Sequence, residues 1–355
     1  SDAVRLPCGN SGVHCANIYR GKRAAHFYGG PVQSAQKRGN NMNYVRVGNS
    51  GLKITELTFG SALTIGTESC SESYAQEMID TAWEAGIRSF DTANNYGMGQ
   101  AEYLLGASLR KYPRQSYVLA TKGSWPIGEG VYERGLSRKH IIWAFDESMK
   151  RLGVDYVDIY YAHRPDTDTP MEEVARTFNS LITSGRVRYW ATSEWSREQL
   201  EALHQVCDAL SLEKPVAEQF IYSYAIQKAE HNGVKEFCDR HGVGALAFSP
   251  IAQGLLTGKY KDGVPADSRI AKSDKLGYNK TAAIYEQNRN MVDYFVGICD
   301  KHGVHGNAAA LQWCLRRGIY PVVGASKPKQ IIENVRAIQE SITQEFWKEL
   351  EEYAV

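Results

Sequence analysis

Short apolar runs alternate with helix-period segments along most of this 355-residue chain, and this alternation constrains its fold more than any other feature. The pattern predicts strands at 57–60, 88–92, 117–122, 156–163, 187–193, 215–221, 244–249 and 320–325. Helices are expected near 72–86, 100–111, 137–152, 171–184, 197–210, 230–241, 288–302 and 328–339. Strands this rich in apolar residues are typical of parallel sheets that are covered on both faces.

Repeated strand–helix units in this number predict an α/β fold, a closed (β/α)8 TIM barrel. The alternative is an open, doubly wound sheet, but no Gly-x-Gly-x-x-Gly motif lies between the first strand and the first helix. Residues 44–47 and 52–54 flank a Gly/Asn/Ser turn and predict an N-terminal β-hairpin. The helical segments 307–317 and 343–353 are extra C-terminal helices, and the long connection at 250–287 is typical of a functional loop.

The charge balance argues against two classes of partner. The chain has 41 basic and 40 acidic residues, spread along its length, so we expect neither nucleic acid nor a membrane surface as a partner. No run approaches 18 apolar residues, so we expect no membrane insertion. The seven cysteines are scattered without a Cys-x-x-Cys pair, as in proteins with reduced thiols, although a pairing of Cys8 with Cys15 stays open. These features predict a cytoplasmic protein.

The first 41 residues differ in composition from the rest. Gly, Ser, Asn, Arg and Lys dominate residues 1–41, and apolar residues there show no sustained period. We interpret this segment as an atypical leader, either flexible or a cloning-derived extension, with Met42 as the natural start; a docking arm is the alternative. Residues 42–355 are expected to form a single barrel domain.

Polar residues stand where the predicted strands end. Asp91, Lys122, His163 and Ser193 close the second to fifth strands, and Tyr96 follows Asp91 after a short turn. Because the carboxyl ends of barrel strands converge on one face, we expect these side chains to meet there. Singly, Asp91 could cap a turn, Lys122 could enter solvent and His163 could pack in the core. Their coincidence on successive strands favours a functional site.

The residue types suit proton transfer to an oxygen atom. A Tyr hydroxyl has a pKa of about 10, and a neighbouring ammonium lowers it, while a carboxylate holds that ammonium charged and in place. Tyr96, Lys122 and Asp91 supply these groups, and His163 can donate a hydrogen bond to a carbonyl oxygen. Such a site protonates an oxygen as hydride reaches carbon, and a cofactor must supply the hydride because no side chain does.

Several ordered motifs resemble those of the aldo-keto reductase superfamily. They are Phe90-Asp91-Thr92-Ala93-Asn94-Asn95-Tyr96-Gly97, Leu136-Ser137-Arg138, the run 156–164, Thr169-Pro170-Met171-Glu172-Glu173, and Gly324-Ala325-Ser326 with Glu333-Asn334. The resemblance spans about 44–340 and implies NADPH or NADP+ lying across the C-terminal face of the barrel. It makes Asp91, Tyr96, Lys122 and His163 the catalytic tetrad, with Tyr96 as general acid.

The resemblance also implies cofactor contacts. Ser193 and Gln219 stand where the family bonds the nicotinamide carboxamide, and Phe248 where a ring stacks on the nicotinamide. Lys327 and Arg269 favour NADPH over NADH, and the helix after the last strand is expected to offer free N–H groups to a phosphate. The full implied set is Ser61, Asp91, His163, Ser193, Gln219, Phe248, Ser249, Pro250, Ile251, Ala252, Gly254, Lys259, Arg269, Gly324, Ser326, Lys327, Gln330, Glu333 and Asn334.

Within the superfamily, the motif Ala162-His163-Arg164-Pro165-Asp166 is similar to the branch of voltage-gated potassium channel β subunits and their bacterial reductase relatives. The channel subunits carry Asn at the position of His163, so the resemblance favours a working reductase of aldehydes or activated ketones. The alternative is an NADP(H)-binding, redox-sensing subunit of a membrane channel with slow residual activity. A non-catalytic barrel is a third hypothesis. Glu194 and Asp267 replace Arg and Tyr of the channel subunits, and both stay outside the predicted site.

Substrate contacts are expected at Leu63, Trp125 and Trp195, which follow strand ends and could form an aromatic pocket wall. The alternative is that the two tryptophans cover the edges of the core. We expect no metal site. Similar proteins form dimers, tetramers and larger rings, so a homo-oligomer agrees with the resemblance.

Overall fold

The computed structural model describes residues 42–62, 64–67, 70–261, 263–266, 268, 270–271 and 281–353. Predictions for residues 1–41, Leu63 and Arg269 therefore lie outside the described residues. The described chain opens with the expected hairpin, in which β1 (Tyr44–Arg46) pairs antiparallel with β2 (Lys53–Thr55).

A closed barrel of parallel strands follows the hairpin. Its strands are β3 (Thr58–Gly60), β4 (Ser89–Asp91), β5 (Val118–Gly123), β6 (Val157–Ala162), β7 (Val187–Ser193), β8 (Ala217–Ile221), β9 (Gly244–Phe248) and β10 (Ile319–Val323). Each strand pairs with the next, and β10 pairs with β3 to close the ring. The predicted (β/α)8 TIM barrel is confirmed.

Helices surround the barrel. They are α1 (Glu72–Glu84), α2 (Gln100–Leu109), α3 (Arg138–Leu152), α4 (Met171–Thr183), α5 (Arg197–Leu210), α6 (Lys228–His231), α7 (Val234–His241), α8 (Thr281–His302), α9 (Gly306–Arg316), α10 (Pro328–Ala337) and α11 (Gln344–Glu351). Hydroxyl side chains cap α1, α3, α5 and α11, where Ser71, Ser137, Ser196 and Thr343 accept backbone N–H groups. Among the described helices, none is both long and apolar enough to cross a membrane.

Two helix predictions need correction. The segment 230–241 was expected as one helix, but Gly233 takes a left-handed φ of 78° and separates α6 from α7. Helix α8 begins at Thr281 instead of 288, and Asn288 interrupts its helical geometry with φ −127° and ψ 22°. The sequence pattern thus detected only the half of α8 beyond this kink, and the β9–α8 connection is shorter than predicted.

The hairpin and the extra C-terminal helix pack on different parts of the barrel. At the amino end, Val47 and Ile54 of the hairpin pack against interior residues such as Ile159 and Leu246 and plug the ring. On the outside, the extra helix α11 packs on α8, where the Tyr294 hydroxyl donates to the Glu349 carbonyl at 2.7 Å. The hairpin covers the amino end of the barrel. The polar side chains named above lie at the other end, where the strands finish.

Candidate active site

Strand alternation explains why polar side chains gather at the carboxyl end. Ala120, Tyr161, Ala191, Ala217, Leu246 and Val322 belong to the interior cluster next to the hairpin. Side chains two residues further along a strand face the same way, one layer higher. The residues at those positions are Lys122, His163, Ser193, Gln219, Phe248 and Gly324. The predicted site residues therefore form the layer directly above the apolar interior.

Lys122 links three of the predicted catalytic residues. Its side chain is fully buried, and its Nζ donates to Asp91 Oδ1 and to the Thr92 carbonyl at 3.0 Å. The Tyr96 hydroxyl lies 3.3 Å from the same nitrogen. The His163 ring faces the Tyr96 ring edge-on, with 5.8 Å between centroids. The structure thus brings together all four residues of the predicted tetrad.

The charge states of these groups follow from burial and from their neighbours. Burial raises the pKa of Tyr96 above its usual value, and Lys122 opposes this effect without reversing it. The expected lowering by Lys122 is present, but burial outweighs it, so the net shift of the Tyr96 pKa is upward. Burial alone would lower the pKa of Lys122. Asp91 and Tyr96 together outweigh burial and raise that pKa above its usual value, so the amine stays charged. Burial, Lys122 and Arg164 hold the pKa of His163 well below its usual range, so its ring is neutral.

Ser193 and Gln219 present one donor and one acceptor that match a carboxamide. Ser193 Oγ accepts a hydrogen bond from Arg164 at 3.2 Å, which leaves its O–H to donate. Gln219 Nε2 donates to Asp91 Oδ2 at 3.1 Å, which leaves the amide oxygen to accept. A carboxamide carries the complementary oxygen and NH₂ group, so these residues fit the nicotinamide end of a cofactor.

A cleft of about 1240 Å³ lies at the carboxyl end of the barrel, and Gly324 is the residue of this layer that lines it. Predicted cofactor residues that line it are Ile251, Gly254, Lys259, Gly324, Ser326, Lys327, Gln330, Glu333 and Asn334. Gly254 has a φ of 98°, and Lys259 Nζ lies 3.0 Å from the position that a Cβ at Gly254 would take. The ammonium therefore covers a bare stretch of backbone, which suits the close approach of a phosphate.

The start of α10 differs from the prediction. The N–H groups of Ser326 and Lys327 both donate to Gln330 Oε1, at 2.7 and 3.2 Å, and Pro328 has no N–H. These groups are therefore not free for a phosphate. The lysine and arginine side chains that line the cleft in the described chain are Lys259, Lys327 and Arg336.

The remaining predicted residues differ in their surroundings. Ser61 is buried below the rim, and its Oγ has no hydrogen-bond partner in the described chain. Phe248 ends β9, and Ser249 and Ala252 in the turn after it take left-handed φ values of 58° and 46°; Pro250 lies between them.

Trp125 is 39% exposed beside His163, as a pocket wall would be.

Trp195 does not form such a wall. It is only 3% exposed, and its indole N–H donates to the Ala162 carbonyl at 3.3 Å. Its position matches the alternative interpretation, in which a rim aromatic covers the edge of the core.

Sequence reasoning missed residues that only barrel closure brings to the site. Tyr74 on α1 lines the cleft and donates its hydroxyl to the Ser326 carbonyl at 2.7 Å. His305 and Asn307, near the start of α9, line the same cleft. Arg164 stood in a recognised motif without a role, yet it contacts Ser193 directly. No local signal marks Tyr74, because α1 becomes a neighbour of α10 only when β10 pairs with β3.

Fold and site together define a class: closed parallel barrels with a lysine–carboxylate pair, a tyrosine and a neutral histidine at the carboxyl end of the strands. Comparison of sequences gives the family. This chain belongs to the aldo/keto reductase family, whose sequence model matches residues 56–354.

Similar proteins align over most of the chain. It is 36% identical over 320 residues to a putative voltage-gated potassium channel subunit beta of Schizosaccharomyces pombe, covering 88% of this chain and 93% of the relative. It is also 36% identical to a probable subunit of the same kind from Oryza sativa subsp. japonica, covering 84% and 91%. A probable subunit from Arabidopsis thaliana is 37% identical, with the same coverage. These relatives agree with the branch that the motifs resemble.

Proposed function

We propose that this protein reduces aldehydes or activated ketones to alcohols with NADPH, in the cytoplasm. The observation that carries the proposal is the contact of Lys122 Nζ with both Asp91 and the Tyr96 hydroxyl, beside a neutral His163. Such an arrangement serves little purpose in a barrel without chemistry, because burying an ammonium costs several kcal/mol unless it is paired, and the pair alone is rarely stabilising.

In the proposed reaction, Tyr96 donates its proton to the carbonyl oxygen. Its raised pKa keeps the phenol protonated at neutral pH, and the Lys122 ammonium stabilises the phenolate that is left. His163 Nδ1 is buried without a partner among the described residues, so a proton on Nε2 leaves fewer unsatisfied donors. Nε2–H can then donate to the carbonyl oxygen and stabilise its developing charge.

A bound nicotinamide cofactor supplies the hydride. Ser193 and Gln219 would hold its carboxamide, and Lys259 and Lys327 would pair with its phosphates. Two lysines in the cleft support NADPH over NADH, since NADPH carries the additional phosphate. The five cysteines in the described residues, Cys70, Cys207, Cys238, Cys299 and Cys314, are free thiols, which supports a reducing compartment.

The test is Tyr96→Phe, assayed with 4-nitrobenzaldehyde and NADPH. We expect kcat to fall by roughly 10²-fold or more, because the general acid is lost, while NADPH affinity changes little. Turnover is followed by NADPH absorbance, and affinity by NADPH fluorescence.

Tyr103→Phe is the matched control, since this tyrosine lies exposed on α2 and donates to Glu72. Its kcat should equal that of the unmodified protein. Undiminished turnover in Tyr96→Phe would remove Tyr96 from the acid role.

A second candidate function comes from the relatives, which are named as potassium channel β subunits. In that case the same barrel would hold NADP(H) and regulate a membrane channel, with slow residual reduction. A panel of aldehydes at saturating NADPH separates the two functions. Turnover of about 1 s⁻¹ or faster, within the ordinary enzyme range, supports the reductase.

A further inference from the structure

We propose that Arg164 recognises a carboxylate on the carbonyl compound, so that the preferred substrates are aldehydes or ketones that carry a negative charge. This inference rests on the proposed reductase function and specifies its substrate class. Arg164 directly follows His163 at the carboxyl end of β6.

One nitrogen of the guanidinium holds it in place. Nη1 donates to the His163 carbonyl at 2.5 Å and to Ser193 Oγ at 3.2 Å. The Arg164 backbone N–H is also engaged, by Ser124 Oγ at 3.0 Å. The side chain is therefore fixed beside the tetrad before any ligand arrives, which lowers the entropy lost on binding.

The other edge of the guanidinium is open. Within the described chain, Nε and Nη2 make no hydrogen bond, and Arg164 forms no ion pair. Both nitrogens also retain contact with solvent, since neither is among the buried unpartnered atoms. An arginine edge with parallel N–H groups matches the two oxygens of a carboxylate.

The guanidinium of Arg164 lies near the reacting groups. The Trp125 ring centroid lies 5.4 Å from the Arg164 guanidinium carbon and 6.2 Å from the His163 ring. Arg164 is also close enough to Tyr96 to act on its pKa. A compact molecule can therefore present its carbonyl to Tyr96 and His163 and its carboxylate to Arg164.

A nearby acid does not neutralise the cation by pairing. Burial lowers the pKa of Arg164, and Glu194, within electrostatic reach, opposes this only in part; Glu194 Oε1 accepts the Ile221 N–H at 2.6 Å. Glu218, also within reach, accepts the Trp195 N–H at 3.0 Å, and burial raises its pKa to about 8. Neither acid forms an ion pair with Arg164 in the described chain, which leaves the guanidinium for a ligand.

The test compares substrates that differ in charge, in Arg164→Met, Arg164→Lys and the unmodified protein. The pairs are 4-carboxybenzaldehyde with methyl 4-formylbenzoate, and succinic semialdehyde with its methyl ester. We expect the ratio of kcat/KM for acid over ester to fall by on the order of 10-fold or more in Arg164→Met in at least one pair, mainly through KM. Arg164→Lys keeps the cation and should retain part of the ratio.

Arg188→Met is the matched control. Arg188 also donates to a backbone carbonyl and covers an aromatic ring, but it lies near the amino end of β7. Its acid-to-ester ratio should not change. An equal loss for acid and ester in Arg164→Met would overturn the proposal, because a residue that only positions His163 and Ser193 affects both. An unchanged ratio in both pairs would overturn it as well.

Failure of the reductase function gives a different result. If the unmodified protein turns over none of the four aldehydes, the proposed function fails, and calorimetric titration with benzoate decides the role of Arg164. Binding that is lost in Arg164→Met supports carboxylate recognition. Binding that is absent, or equal in the variant, contradicts it.

Discussion

At the scale of single residues, the buried ammonium of Lys122 carries a high energetic cost of burial. Moving a charge out of water costs several kcal/mol even after relaxation, and Asp91 Oδ1 and the Thr92 carbonyl offset that cost. The same contacts leave Lys122 charged and aimed at the Tyr96 hydroxyl. Loss of Asp91 would leave a buried charge unpaired, so the stability of the fold and the proposed proton transfer both depend on this ion pair.

The charge states of Tyr96 and His163 predict an unusual pH dependence. The pKa of Tyr96 is raised above about 10, so the phenol keeps its proton through neutral and moderately alkaline pH. The pKa of His163 lies well below about 6.5, so its ring stays neutral there. We expect kcat/KM for carbonyl reduction to stay level from about pH 6.5 to about pH 9. Steady-state assays in buffers of constant ionic strength measure it.

The reverse reaction should differ, because alcohol oxidation needs the Tyr96 phenolate. Its kcat/KM should rise with pH through the same range. An inflection of the reduction profile between pH 6.5 and pH 8 would show that another group titrates in the site.

At the scale of elements, the hairpin β1–β2 is joined to the barrel by backbone contacts that tolerate no side chain. Gly48 has a φ of 54°, and a Cβ there would lie 2.2 Å from the Gly242 carbonyl oxygen. The Asn49 N–H donates to that same oxygen at 2.8 Å. The plug at the amino end therefore depends on a glycine in its turn.

Gly48→Ala should lower the free energy of unfolding by on the order of 2 kcal/mol or more, through backbone strain and the clash with Gly242. Urea unfolding followed by circular dichroism measures the loss. Gly51→Ala is the control, because its Cβ would meet only the Tyr189 hydroxyl at an ordinary 3.7 Å. Equal stabilities of the two variants would contradict the proposed role of the turn.

At the scale of the whole molecule, the barrel was predictable because each strand is a nearly continuous apolar run and each connection has helical period. The tetrad was predictable because strand ends converge. The predictions that failed concerned places where a neighbouring residue overrides the local pattern. Gly233 split a helix with good periodicity, and the Gln330 side chain occupied N–H groups that helix geometry alone leaves free. The direction of the Tyr96 pKa shift depended on burial, which residue types do not reveal.

Contacts between residues of different strand–helix units could not be predicted from the sequence either. Tyr74 meets Ser326 across β3 and β10, the first and last strands of the barrel. Arg164 reaches Ser193 from the next strand. Neither distance follows from spacing along the chain.

The cleft along the rim predicts that the cofactor stabilises the whole barrel. Ligand at about 100 times its Kd adds about 2.7 kcal/mol to the free energy of unfolding. NADPH should therefore raise the Tm by more than NADH at equal concentration, since Lys327 and Lys259 add positive charge to the cleft. Differential scanning fluorimetry measures both shifts.

Lys327→Met should narrow the difference between the Tm shift caused by NADPH and the Tm shift caused by NADH. Lys348→Met, on α11 at the outside of the barrel, should leave it unchanged. Equal shifts with both cofactors in the unmodified protein would contradict the proposed preference.

The hairpin plug also has a consequence for kinetics. Because Val47 and Ile54 fill the amino end of the ring, a molecule that reaches Tyr96 has to enter and leave through the carboxyl end. Two ligands that meet at Tyr96 would share that entrance, so the one bound deeper could not leave while the other is present. For the proposed reduction we therefore expect a compulsory order of binding, in which the last ligand to bind gives the first product to leave.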